Sequence, residues 1–157
     1  MPGARYKQLA ALAADNFGFL TSDDARDLSI PVGTINAMAR RGQLEHVAHG
    51  VYRIPLTPPD RLAPYKLATL WPDRRGLISH QSALALHGTG ELDPDQIHVT
   101  VPASYRTHRP VPAAYVLRHE DVAPEDHELI DGIGVVSRAV ALHQVYLDEL
   151  RTGAGPA

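Results

Sequence analysis

The chain has 157 residues, of which 44% are hydrophobic and 21% charged, with a formal net charge of -3 and no cysteine. Those proportions belong to a folded globular protein of one ordinary domain or two small ones, and they exclude a disordered tail. The missing cysteines exclude a disulfide framework and thiolate chemistry, and the net charge argues against a protein that coats nucleic acid indiscriminately.

The opening stretch "ARYKQLAALAADN" sets Tyr6, Leu9, Ala10 and Ala13 at helical spacing and predicts a first amphipathic helix. In "FGFLTSDDARDL" a short apolar stretch leads to Thr21 or Ser22 as N-cap, with acids in the first turn and Ala25 and Leu28 facing inward. A third helix, "VGTINAMARRG", starts at Pro31 and stops at Gly42, a residue suited to a left-handed C-cap. Ile35 and Met38 share one face of it. Gly33, Thr34, Asn36, Ala37, Arg40 and Arg41 are left for the other faces.

The next segment, "RRGQLEHVAHGVYRI", reads as a hairpin. With Ala48-His49-Gly50 as a three-residue loop, Gly50 takes the position that needs positive φ, Val47 faces Val51, and Glu45 faces Arg53. Leu44, His46, Tyr52 and Ile54 then share the opposite face, expected to be the buried one. Three short helices and a hairpin follow the order of a winged helix-turn-helix. "PLTPPDRLAP" is rich in proline and reads as a linker, giving an expected division into residues 1–56, a connector 57–63 and a second domain 64–157.

The second part mixes element types. "YKLATLW" is a helix, and "GLISHQSALALHG" is a brief strand running into a helix capped by Ser79 and closed at Gly88. "IHVTVP" and "AYVLRHE" alternate as strands, "LIDGIGVV" is a hairpin with an Asp-Gly turn, and "SRAVALHQVYLDEL" is a last helix. The expected class is α+β, an N-terminal winged helix-turn-helix followed by a small mixed α/β domain.

Charge is unevenly spread. Residues 1–60 hold six Lys/Arg and six Asp/Glu, whereas residues 61–157 hold nine and twelve. Within the first part Arg40, Arg41 and Arg53 lie near His46 and His49, with Glu45 the one acid between them, a local basic patch on a neutral module. In a helix-turn-helix the third helix enters the major groove and the hairpin reaches the flanking backbone. Thr34 and Asn36 are then candidates for base edges, Asn preferring adenine. Arg40 and Arg41 are candidates for phosphates, and His49 stands at the hairpin tip. The competing reading makes Thr34 and Asn36 a solvated face, sets the two arginines against the helix dipole, and pairs Arg53 with Glu45. For Arg53 that pairing is preferred.

"GFLTSDDARDLSI", "RRGQLEHVAHGVYRIP" and "LISHQSALALHG…IHVTVP" together resemble the AbiEi family, the antitoxin half of AbiE-type toxin–antitoxin systems. The resemblance implies an N-terminal winged helix-turn-helix that represses its own operon, a C-terminal α/β domain concerned with antitoxicity, and a partner toxin of nucleotidyltransferase type. His46 and Ala48 stand where arginines are common, His49-Gly50 replaces a frequent Arg-Gly, and the segment "VVSRAVAL" (135–142) lacks the family's proline.

Nine histidines raise the question of a metal. His80 and His87 are seven apart on one helix face, but no third ligand stands at suitable spacing, so no metal or cofactor is expected. His119, Glu120 and Asp121 are adjacent on a strand and point to alternate faces, which does not make a catalytic group. "GTGE" and "DGIG" are glycine turns rather than phosphate loops. The expectation is a non-enzymatic, sequence-specific repressor that binds an inverted repeat of double-stranded DNA as two copies. The alternative is a protein-interaction antitoxin module acting on a nucleotidyltransferase toxin without DNA binding. No run approaches a membrane span and the N-terminus lacks a signal-type apolar core, so a cytoplasmic location is expected.

Overall fold

The computed structural model describes residues 3–153. In chain order it contains α1 (Ala4–Ala14), β1 (Phe19–Thr21), α2 (Ser22–Asp27), α3 (Val32–Arg40), β2 (Glu45–Ala48), β3 (Val51–Arg53) and α4 (Ala63–Leu70). These are followed by β4 (Leu77–Ile78), α5 (His80–Leu86), β5 (Ile97–Val101), β6 (Tyr115–His119), a 3-10 turn (Pro124–Asp126), β7 (His127–Ile130), β8 (Ile133–Val136) and α6 (Arg138–Thr152). The class is mixed α and β, with six helices and two sheets among the described residues. The chain divides into two compact units, one ending at Asp73 and one beginning at Arg74, so α4 groups with the first.

In the first unit, Leu9 and Ala13 of α1 meet Leu20, Ala25, Ile30, Ile35, Met38, Leu44 and Tyr52 in one apolar core. Local chemistry sets the helix limits. Thr21 and Asp24 form a capping box: the Asp24 N–H donates to Thr21 Oγ1 at 3.1 Å, and the Thr21 N–H donates to Asp24 Oδ2 at 2.8 Å. The N-cap is therefore Thr21 rather than Ser22. At the other end of α3, Gly42 has φ +78°, the Gly42 N–H donates to Ala39 O, and the Gln43 N–H donates to Met38 O. This paired closure needs a left-handed residue, which is why the helix stops there.

The first sheet has three strands in the order β1-β3-β2, antiparallel throughout. Glu45 lies opposite Arg53 as expected, but Ala48, not Val47, lies opposite Val51, because the register shifts between His46 and Ala48. One extra residue in one strand makes a bulge, and its neighbours change face. Two expectations about burial fail in consequence of the sheet's make-up. Val51 is buried because β1 pairs with β3 and turns it into a central strand. His46, expected inside, is exposed on the outer strand and stacks on Tyr52 at 4.9 Å between ring centres.

The second unit is built on a five-stranded mixed sheet in the order β6-β5-β4-β8-β7. β4 is antiparallel to β5 and parallel to β8, β5 is parallel to β6, and β7 and β8 form an antiparallel hairpin. The hairpin turns at Asp131 (φ +50°) and Gly132 (φ +80°), the left-handed pair that an Asp-Gly turn favours. Ile78, Ile97, Val99, Val101, Ile133, Val135 and Val136 are the sheet's buried apolar residues, and α5 packs on α6. Ser137 caps α6 by accepting the Val140 N–H at 3.2 Å. Ser79 sits at the N-cap of α5 but makes no cap hydrogen bond with its side chain, contrary to expectation. Its hydroxyl is engaged elsewhere.

Candidate nucleic-acid interface

α3 buries Ile35 and Met38 and turns its remaining faces outward. At about 100° per residue, Val32, Gly33 and Arg40 lie within about 60° of Asn36, whereas Thr34 lies about 160° away. Asn36 and Arg40 thus share one exposed face. It is unobstructed: a Cβ added at Gly33 would have nothing within 4 Å. Thr34 belongs instead to a neighbouring face with Ala37 and Arg41. There Arg5 of α1 donates from Nη1 to Thr34 Oγ1 at 3.3 Å.

The cations divide cleanly. Arg53 donates to Glu45 Oε2 from Nη2 at 2.8 Å and from Nε at 3.2 Å, so it is neutralised across the hairpin, as the sequence favours. Arg40 and Arg41 are exposed and have no carboxylate partner among the described residues. His49 is exposed at the hairpin tip. The tip is not a loose loop, because the Ser22 N–H donates to Gly50 O at 2.9 Å and ties it to the start of α2. Arg5 is a cation that sequence reasoning missed, since 29 residues separate it from Thr34 and only the packing of α1 brings it near.

A second polar site lies in the second unit, and sequence reasoning missed it as well. Ser79 is fully buried, and its Oγ lies 2.7 Å from both Thr100 Oγ1 and His80 Nδ1. With Thr100 as donor to Ser79, the serine proton goes to His80 Nδ1, which leaves the imidazole proton on Nε2. The His80 N–H donates to Gln144 Oε1 at 3.0 Å, and Gln144 Nε2 donates to Glu120 Oε1 at 2.8 Å. Arg118 grips both oxygens of Asp148, at 2.8 and 2.5 Å, while His80 Nε2 stops 3.9 Å from Asp148 Oδ2. Residues of this group line a cavity of about 260 Å³.

The electrostatics follow from burial and from that ion pair. Burial, helped by the charge of Arg118, lowers the His80 pKa to about 4, against a smaller opposing pull from Asp148, so the ring is neutral near pH 7. Burial likewise lowers His98, which stacks on His80 at 5.4 Å. The hydrogen bonds from Arg118 hold the Asp148 carboxyl below its usual range. His80 has φ +54°, a left-handed conformation uncommon outside glycine and asparagine, so the network holds a strained residue at its centre. The strand expected through "RHEDV" ends at His119, and His119 and Glu120 line the same cavity rather than facing apart; Glu120 bonds Gln144, while Asp121 Oδ1 accepts the Ala103 N–H. Among the described residues no group of three or more His, Asp or Glu side chains is placed to hold a metal ion. No described helix is long and apolar enough to cross a membrane.

Residues 7–55 match a family described as transcriptional regulator, AbiEi antitoxin. These residues are similar to that family. The match is the family that the first two sequence motifs resemble, and it lies wholly inside the first unit, covering β1, α2, α3 and the β2–β3 hairpin together with most of α1; the motif "LISHQSALALHG…IHVTVP" lies outside it. No curated protein matches the chain. The matched residues include all five singled out from the sequence: Thr34, Asn36, Arg40, Arg41 and His49.

Proposed function

We propose that the first unit is a winged helix-turn-helix and that the protein is a sequence-specific DNA-binding repressor of its own toxin–antitoxin operon, acting in the cytoplasm. The DNA-reading part is residues 1–56, joined through the connector 57–63 to residues 64–157. α3 enters the major groove, with Asn36 reaching base edges from its exposed face. Arg40 and Arg41 hold phosphates at the end of that helix, and His49 meets the flanking backbone from the hairpin. Thr34 acts beside Arg5 rather than with Asn36. Two copies bind an inverted repeat, since each carries one reading helix.

The observation that carries this reading is the open face of α3. Asn36 and Arg40 are side by side and exposed, and Arg40 and Arg41 have no carboxylate partner among the described residues. The test is a gel-shift assay on the region upstream of the gene, comparing wild type with Asn36→Ala. The variant should lose about 1–3 kcal/mol of preference at one base pair while its binding to unrelated duplex stays unchanged. Equal selectivity in the two proteins refutes the assignment of Asn36.

A second reading rests on the word antitoxin in the matched family. In it the residues from 64 onward restrain a nucleotidyltransferase-type toxin, and DNA binding is not needed. Growth rescue by an Arg40→Ala/Arg41→Ala chain that has lost DNA binding separates the two roles.

A further inference from the structure

The polar group around His80 holds more hydrogen-bonding capacity than it uses. By alternation along the parallel pair β5–β6, His98 and Thr100 share a sheet face with Arg118, which lies opposite Thr100. The start of α5 and the second half of α6 meet that face, through the bonds of Ser79 to Thr100 and of Arg118 to Asp148. Most of these groups are occupied with one another. Two imidazole nitrogens are not. The His80 side chain is only 3% exposed, yet its Nε2–H makes no hydrogen bond among the described residues, and Asp148 Oδ2 at 3.9 Å is out of reach. His98 Nδ1, on the ring stacked against it, is buried and unbonded as well. Buried polar atoms in a network that serves only the fold are nearly always satisfied. The left-handed backbone of His80, at φ +54°, adds strain at the same residue, and such strain collects where ligands are held.

His80 and Asp148 both line the cavity of about 260 Å³, so the open donor has a space to serve. Two further lining residues are only partly engaged. Arg151 stands 3.8 Å from Asp148 Oδ1, beyond hydrogen-bond distance, because Arg118 already grips that carboxylate. Glu120 holds Gln144 with one oxygen, and its other oxygen makes no hydrogen bond among the described residues. With Arg118 and Asp148 neutralising each other, the cavity is left with one cation, one anion and one neutral donor. An ion of either sign would suit one of the two charges and be repelled by the other. A molecule with both a carboxylate and an ammonium group suits both: the carboxylate accepts from Arg151 and the His80 Nε2–H, and the ammonium donates to Glu120. The volume falls below the roughly 300–1,000 Å³ of sites for drug-sized ligands, so the molecule is small.

We infer that the cavity between the end of β6 and the second half of α6 is a binding site for a free α-amino acid. Every residue in it belongs to the second unit, and the inference does not depend on the proposed DNA binding.

The experiment is isothermal titration calorimetry of the full chain at pH 7 with each common L-amino acid in turn, and with acetate and methylammonium as carriers of one charge each. At least one amino acid should bind with Kd below about 1 mM and, at about 100 times Kd, raise the melting temperature by several degrees. Arg151→Ala and Glu120→Gln should each weaken that binding by about tenfold or more, since each removes one charge-assisted contact. Arg151→Lys should keep most of the affinity. Arg151 and Glu120 are exposed, so circular dichroism should give all these proteins the wild-type melting temperature when no amino acid is present. The inference is overturned if no amino acid binds below about 1 mM, or if acetate or methylammonium binds as tightly as the best amino acid. Unchanged affinity in Arg151→Ala or in Glu120→Gln overturns it too.

Discussion

Replacing Arg40 and Arg41 together with alanine tests the proposed α3 interface with little confounding from stability. Both side chains are exposed and make no ion pair among the described residues, so what the fold loses is their attraction to the C-terminal end of the α3 dipole, about 0.3–1 kcal/mol each. The binding loss is larger. Each phosphate neutralised releases counterions and contributes about 0.9 to the slope of log K against log salt. At 0.1 M salt that amounts to about eightfold for each arginine, or about 60-fold and roughly 2.4 kcal/mol for the pair. The loss should be the same on the upstream duplex and on unrelated duplex, because phosphate contacts position the protein and carry no sequence information. Fluorescence anisotropy at several salt concentrations measures both quantities. A double variant with the wild-type slope, or one that loses only its preference for the upstream duplex, refutes the assignment of these arginines to phosphates.

Two further outcomes follow from the geometry. His80 titrates near 4 in the folded protein against about 6.5 unfolded, so the unfolded chain takes up the proton first; this stability is fully present above about pH 6.5 and is lost as the pH falls toward 4. Urea unfolding should show about 2 kcal/mol less stability at pH 5 than at pH 7 from this group. His80→Asn, which tolerates the left-handed backbone, should abolish that difference, and a variant with an undiminished pH dependence contradicts the assignment. Thr21→Ala removes one half of the α2 capping box and should cost about 1 kcal/mol in thermal unfolding, whereas a melting temperature equal to wild type would mean the cap is not limiting.

Local signals were legible in the sequence and long-range ones were not. The Gly42 stop, the Glu45–Arg53 pair and the Asp131-Gly132 turn each depend on residues close in the chain, and the structure has them all. β1 escaped notice because three residues are too few to show alternation, and with it went the burial of Val51. The bulge at Val47 was equally hidden, since a one-residue slip leaves hydrophobicity unchanged and only moves side chains between faces. In the candidate interface, exposure, charge and the separation of Thr34 from Asn36 around the helix were all readable, but Arg5, the partner of Thr34, needed the packing of α1. The His80 network is the extreme case. Its bonds join residues up to 64 positions apart, and "SH" at a helix start reads equally well as a simple cap.

The two units treat polar side chains in opposite ways, and this bears on how substitutions in each should be interpreted. In α3 the exposed face has little to do with the core, so changes at Asn36, Arg40 or Arg41 test the proposed binding and leave the fold largely intact. In the second unit Ser79, His80, Thr100 and Gln144 are buried and bonded to one another or to close neighbours. Truncating one strands its partner without water, at about 1–3 kcal/mol for each group left unsatisfied. The network also ties α5 to α6 and to the β5–β6 edge, so the loss spreads beyond the altered residue. A growth defect from Gln144→Ala is therefore evidence about folding before it is evidence about a partner toxin.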